Sequence, residues 1–432
     1  MVAIMVAFLS LAGHAATKTI TVGKLKYSVN TSTKNARLLG RAEKTTKTWD
    51  LTIPDEITTD LGTFKVVAVE KSAFYMDSYI RNVTVGNNVV DICESSFGAS
   101  TVSSVTFDVF HSACATIGEE AFHNTLITKL TLPRSITTIR KKAFMSCQKL
   151  KSLTLGDQLK YIQPSAFSNC CSLTTVKIPG TVKSIGENAF ADCTSLTTVE
   201  FQQGLGGTIV ETRAFNNNQS ITTVRCYSPG VVSFGDGAFV NNHISYLSLP
   251  TTLKTIGNYA FSLNDIATPV SFPEGLTTIG HAAFSDQGLL PPDGWGTIVI
   301  PSTVTEIGYD AFHNVGDVHT VISKAVIPPT CTVQHARYAF EPETMSDARL
   351  IVPAGSEDLY REAGTWKDFR WWKTPEADAD DVTDDARASD DMGQEDVYYF
   401  DLNGSAVDAS ALTPGIYIRR QGGHASKFMV HN

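Results

Sequence analysis

Apolar and polar positions alternate along this chain in short runs, and the runs recur. Leu130/Leu132, Leu153/Leu155, Val176/Ile178, Val199/Phe201, Val224/Cys226 and Leu247/Leu249 each set two apolar side chains on one side of an extended segment, with a polar residue between them. Period-two alternation over three to five residues predicts a strand with one buried face. An apolar-Pro pair closes many runs, at Leu132-Pro133, Ile178-Pro179, Leu249-Pro250, Phe272-Pro273 and Ile300-Pro301. Proline has no N–H for a ladder, so each strand should stop there. Ile-Gly follows at 117–118, 185–186, 256–257, 279–280 and 307–308, and reads as a tight turn into a short helical or 3-10 piece. That piece carries Ala-Phe, with Phe at 74, 122, 144, 167, 190, 215, 239, 261, 284, 312 and 340; Ser96-Phe97 fills the gap.

The phenylalanines recur about every 24 residues, a solenoid-type period. One unit cannot bury its own apolar edge. Leu173, Val176, Ile178, Val182, Ile185, Ala189 and Phe190 can be covered only by the same positions of the next unit, so stacking is obligatory. Ala suits a close approach of backbones and Phe supplies the large buried body. The expected architecture is a mainly β solenoid with a parallel sheet and short helical or 3-10 turns. With strands about 4.8 Å apart, its eleven steps give a rod on the order of 50 Å long.

Units such as Leu173–Leu196 resemble the BspA-like leucine-rich repeats of bacterial surface proteins, over roughly residues 51–369. The resemblance implies a right-handed leucine-rich-repeat solenoid in a secreted or surface-exposed protein. It also implies adhesion to host matrix proteins or to other bacteria, with no catalysis by the repeat itself. The expected organisation is a signal peptide at 1–16, an N-terminal β segment covering the array's open edge at 17–70 and the array at 71–349. A closing segment at 350–373, an acidic disordered linker at 374–396 and a small β tail at 397–432 follow.

The ends rest on composition. Val2–Gly13 is an apolar run too short for a bilayer core of roughly 30 Å, with small residues Gly13 and Ala15 at a plausible cleavage site. The expectation is therefore export without a membrane span. The formal net charge is −9, and the ten acidic residues and one arginine between Glu376 and Asp396 account for all of it. The remainder is neutral, so no basic field points to nucleic acid. The acidic stretch lacks the central Gly and closing Glu of a calcium loop. Residues 397–432 read as hairpins turning at Asn403-Gly404, Pro414-Gly415 and Gly422-Gly423, and are similar to the C-terminal tails of exported Bacteroidetes proteins.

Candidate chemistry is sparse. The metalloprotease, nucleophile-elbow, P-loop and dinucleotide motifs are all missing, so no catalytic, metal or cofactor residues are assigned and no cofactor is expected. Cys147, Cys170 and Cys193 stand 23 residues apart. A structural thiol ladder, with Asn218 in the same slot, is favoured over a disulfide. A metal or catalytic role comes last, since neither a paired base nor two close ligand pairs is present. The adjacent Cys170-Cys171 keeps a disulfide open.

Function then falls to the solvent side of the strands, whose middle positions read Thr131, Thr154, Lys177, Glu200, Arg225, Ser248, Ser271 and Val299. Lys177, Glu200, Arg225 and Tyr246 are the candidate contacts for a host matrix protein, a host cell-surface protein or another bacterial surface. The alternative is a carbohydrate-binding accessory protein stacking sugars on Trp366, Trp371 and Trp372. The bland reading of those tryptophans is closure of the array.

Overall fold

The computed structural model describes residues 17–204, 207–288 and 294–373, and the strands Val397–Phe400, Ala406–Val407, Gly415–Gln421 and His424–Val430. The segments expected to be a signal peptide and an acidic linker lie outside the described residues. So do the tail's expected turns, apart from Gly415.

Contacts divide the chain between Pro375 and Glu376. The first unit is a β solenoid with strand stacked on strand in parallel. Its continuous ladder is one the alternation pattern does not mark. Two-residue strands at Thr116–Ile117, Thr138–Ile139, Tyr161–Ile162, Ser184–Ile185, Thr255–Ile256 and Thr278–Ile279 pair turn after turn into the largest sheet. The isoleucine of Ile-Gly is thus a strand residue facing the core. Its glycine is needed for close approach, since a Cβ on Gly186 would lie 2.6 Å from the Pro164 nitrogen of the preceding turn.

The alternating runs form strands on a second face, in separate pairing groups. The longest group in mid-array joins Thr175–Gly180, Thr198–Gly204, Thr223–Cys226 and Tyr246–Ser248. Proline ends the strand after Lys129–Thr131, whereas Pro179 sits at a bulge and pairing resumes at Gly180 opposite Gly204. Pairing on this face begins at Trp49–Thr52, alongside Ile80–Thr84. At the N-terminal end Thr17–Val22, Leu25–Asn30 and Asn35–Arg41 form an antiparallel meander, whose last strand pairs in parallel with Gly62–Val69.

The Ala-Phe segments are turns, not the expected helical pieces. In each turn from Phe74 to Phe312, the residues two before and two after Phe have positive φ, as at Ser165 (57°) and Asn169 (60°). This geometry aims alternate N–H groups at the next turn: Ser165 donates to Glu187 O, Phe167 to Ala189 O and Asn169 to Ala191 O, each at 2.8 Å. Asn, Asp, Ser and Gly hold many of these positions because they tolerate the left-handed region. Helices occur near the end of the array, at Pro342–Asp347, Glu357–Glu362 and Gly364–Asp368.

The core is a column of phenylalanines. Adjacent rings from Phe74 to Phe284 lie 4.8–5.6 Å apart and nearly parallel; Phe284–Phe312 opens to 6.2 Å. Offset parallel packing of this kind adds to the area each ring buries. In the second unit, the described strands form an antiparallel sheet of four.

Candidate interaction surface

The cysteines are the first candidates to leave the field. All eight are unbridged, so neither the ladder nor Cys170-Cys171 forms a disulfide. Cys147, Cys170 and Cys193 are fully buried, and each thiol donates to the Phe carbonyl of the turn before it: to Phe122 O at 3.1 Å, Phe144 O at 3.3 Å and Phe167 O at 3.2 Å. Burial pushes the Cys147 thiol up to about 11 and holds Cys170 well above the ordinary thiol value. Such groups stay protonated at neutral pH and are poor nucleophiles. Asn218 takes the same slot, its amide donating to Phe190 O and Phe215 O while its carbonyl accepts the Cys193 N–H. Among the described residues, no group of three His, Cys, Asp or Glu is placed to hold a metal ion.

The strand face brings its four candidates together. Register sets Lys177 opposite Glu200, and Glu200 opposite Arg225. Alternation turns their side chains outward while Val176, Val199 and Val224 fill the core. Glu200 is the pivot, 18% exposed, with Lys177 Nζ at 3.2 Å from one carboxylate oxygen and Arg225 Nη1 at 3.7 Å from the other. Tyr246 pairs with Thr223 and so sits diagonally beside Arg225, whose guanidinium lies 5.5 Å from the ring centre. That distance is within reach of a cation–π contact. Thr175, exposed, and Thr198 and Thr223, half-buried, point to the same side; period-two counting from Lys177 would have found them. The face stops at Ser248, because Ser271 is in no strand and Val299 belongs to another sheet.

The tryptophans are placed differently. Trp366 is buried, 1% exposed, its Nε1 donating to Pro329 O at 2.7 Å and its ring packed on Phe340 and Tyr360. No sugar face is presented there. Trp371 and Trp372 lie on the strand Trp371–Lys373, paired with Arg349–Ile351; their side chains are outside the described residues. None of the residues chosen from sequence lines a cavity of about 340 Å³ on the turn edge between Tyr259 and Pro342. Its signal was the Phe spacing, which widens to 28 residues from 284 to 312 and from 312 to 340.

No helix among the described residues is long and apolar enough to cross a membrane. The chain is similar in fold to pneumococcal vaccine antigen PcpA (21% identity, 80% of this chain and 96% of that one, TM-score 0.45). It is also similar to a leucine-rich repeat protein from Bacteroides ovatus (17%, 79% and 80%, TM-score 0.41) and a leucine rich cell surface protein from Faecalibacterium prausnitzii (22%, 71% and 94%, TM-score 0.36). No curated protein matches the sequence significantly. The model of the BspA type leucine rich repeat region matches residues 55–123, 115–207 and 197–319, more than half of the chain, and the protein belongs to that family.

Proposed function

We propose that this is an exported, non-enzymatic repeat protein that binds a protein on a host or bacterial surface. The contact is the outer face of the strands Thr175–Gly180 to Tyr246–Ser248. The observation that carries the reading is the row Lys177–Glu200–Arg225–Tyr246, where register alone assembles a cation, a carboxylate, a second cation and an exposed ring on a flat surface. Flat solenoid faces serve protein recognition, and Tyr and Arg are enriched where partners bind tightly. The buried, protonated cysteines and the family's scaffold character support a role without chemistry.

The test is a binding screen with the purified full chain against immobilised matrix proteins, host cells and bacterial cells. A partner captured by the native chain should be lost with Lys177→Glu/Arg225→Glu. Failure to capture any protein across the screen would sink the reading.

A further inference from the structure

The turn ladder is regular until its last member. From Phe74 to Phe312, every turn has a positive φ two residues after Phe, and the N–H there reaches the next turn's backbone where that turn is regular. At Phe340 this position is Pro342, whose ring fixes φ near −65° and forbids the left-handed form. Positive φ moves instead to His335 (51°) and Ala336 (61°). Phe312 N–H still meets Ala339 O in the regular way, but the bonds on either side depart: Asp310 N–H reaches Tyr338 O, one residue later than the regular pattern, and Asn314 N–H is met by the Glu341 carboxylate at 3.1 Å rather than by a backbone carbonyl. The displaced segment leaves the 340 Å³ cavity, lined by side chains of four successive turns.

We propose that this cavity binds a single neutral sugar residue. Its walls carry more carboxylates than cations: Arg337 Nη1 lies 3.0 Å from Asp310 Oδ2, His313 Nδ1 lies 3.3 Å from Glu341 Oε1, and Asp286 adds a third carboxylate. A lone cation would face Arg337, and an anion would face Asp286, Asp310 and Glu341. An uncharged polyol suits both, because its hydroxyls donate to the carboxylates and accept from the guanidinium, and such bonds are strengthened by the fixed charges. Tyr259 supplies a flat wall, 44% exposed, with Tyr309 close by and stacked on His281 at 4.2 Å. The apolar face of a pyranose ring packs against such a wall. The volume lies at the small end of ligand pockets, about 300–1,000 Å³, so it takes one ring and not a chain. Tyr259 also has a φ of 56°, a conformation unfavourable for a bulky ring, so the turn's own backbone does not explain the residue.

Saturation-transfer NMR on the full chain, with methyl glycosides of glucose, galactose, mannose and N-acetylglucosamine, tests this directly, with arginine amide and acetate as charged probes. At least one glycoside should bind, and Tyr259→Asn and Asp310→Asn should each weaken it by about tenfold, the effect of losing one good contact. Asparagine tolerates positive φ at both positions, so thermal melts should stay unchanged; Asp286→Asn is a third variant on the same logic. Lys177→Ala should leave sugar binding intact, which separates this site from the strand face. Binding of no glycoside, of the charged probes alone, or equally by the variants would overturn the proposal.

Discussion

Two halves of one buried ladder solve the same problem with different chemistry. In the first, Cys147, Cys170 and Cys193 each donate one bond to the preceding Phe carbonyl. In the second, Asn218, Asn242 and Asn264 bond the Phe carbonyls of both their own turn and the preceding one. Their amide oxygens also accept the N–H groups of Cys193, Asn218 and Ile244. The bond to the preceding carbonyl is common to both halves, although Thr125, in the same slot one turn earlier, bonds the Phe122 carbonyl of its own turn instead. The amide's other bonds satisfy groups that the thiol half leaves to its own turn, where Cys147 N–H, for instance, bonds Phe144 O. Thiol and amide are interchangeable in shape but not in what they would leave unpaired if removed.

The largest effect should not distinguish the halves at all. Phe167→Ala and Phe239→Ala each remove a fully buried ring from the column. Each should cost about 3–5 kcal/mol in urea unfolding monitored by circular dichroism. A clear inequality would show that the ladder, not the ring stack, sets local stability. Asn218→Leu should come next. It leaves two carbonyls and the Cys193 N–H without this partner in a dry core, a loss of about 2–3 kcal/mol. Cys147→Ser keeps a donor for Phe122 O and should stay within about 1 kcal/mol, so equal losses at the two sites would break the comparison.

Alkaline pH separates the halves because amides do not titrate. Burial raises the Cys147 thiol from an ordinary 9.0 to about 11 in the folded chain. The folded state therefore holds the proton more tightly, and stability is complete below pH 9 and declines as pH rises toward 11. The loss at pH 10 is on the order of 1 kcal/mol for this one group. Cys114, pushed up to about 12, acts in the same direction. Melting temperatures between pH 8 and 10.5 should fall in the native chain and fall less in Cys147→Ser. An unchanged slope would assign the decline to other groups.

How much of this was open to reading from the sequence depended on period. The alternating runs and the Phe spacing carry a repeat, so the stacked strands, the ring column and the shared slot of Cys193 and Asn218 were all legible. The continuous ladder through Ile139, Ile162 and Ile185 was not, since a two-residue strand has no period to detect. The Ala-Phe turns were read as helical because local spacing cannot reveal a φ of 57° at Ser165, which is held by bonds to the neighbouring turn. On the strand face, Lys177, Glu200 and Arg225 followed from alternation plus register. The bond from Trp366 to Pro329 O did not, because spacing does not say where that carbonyl lies.

The smallest expected effect is the one that bears on function. Lys177, Glu200, Arg225 and Tyr246 cross the junction between the two halves, drawing on strands from both. Lys177 and Arg225 are 64% and 48% exposed, and their bonds to Glu200 compete with water and salt. Lys177→Glu should therefore change unfolding by no more than about 0.5 kcal/mol, even though it reverses a charge at one end of the row. The ladder beneath does not depend on the row, and the row needs the ladder only for spacing. If the substitution destabilised the chain as much as Asn218→Leu, the row would be part of the scaffold and the case for a partner there would weaken. If stability held while capture of a surface partner fell and its salt dependence flattened, the row would be acting on something outside the chain.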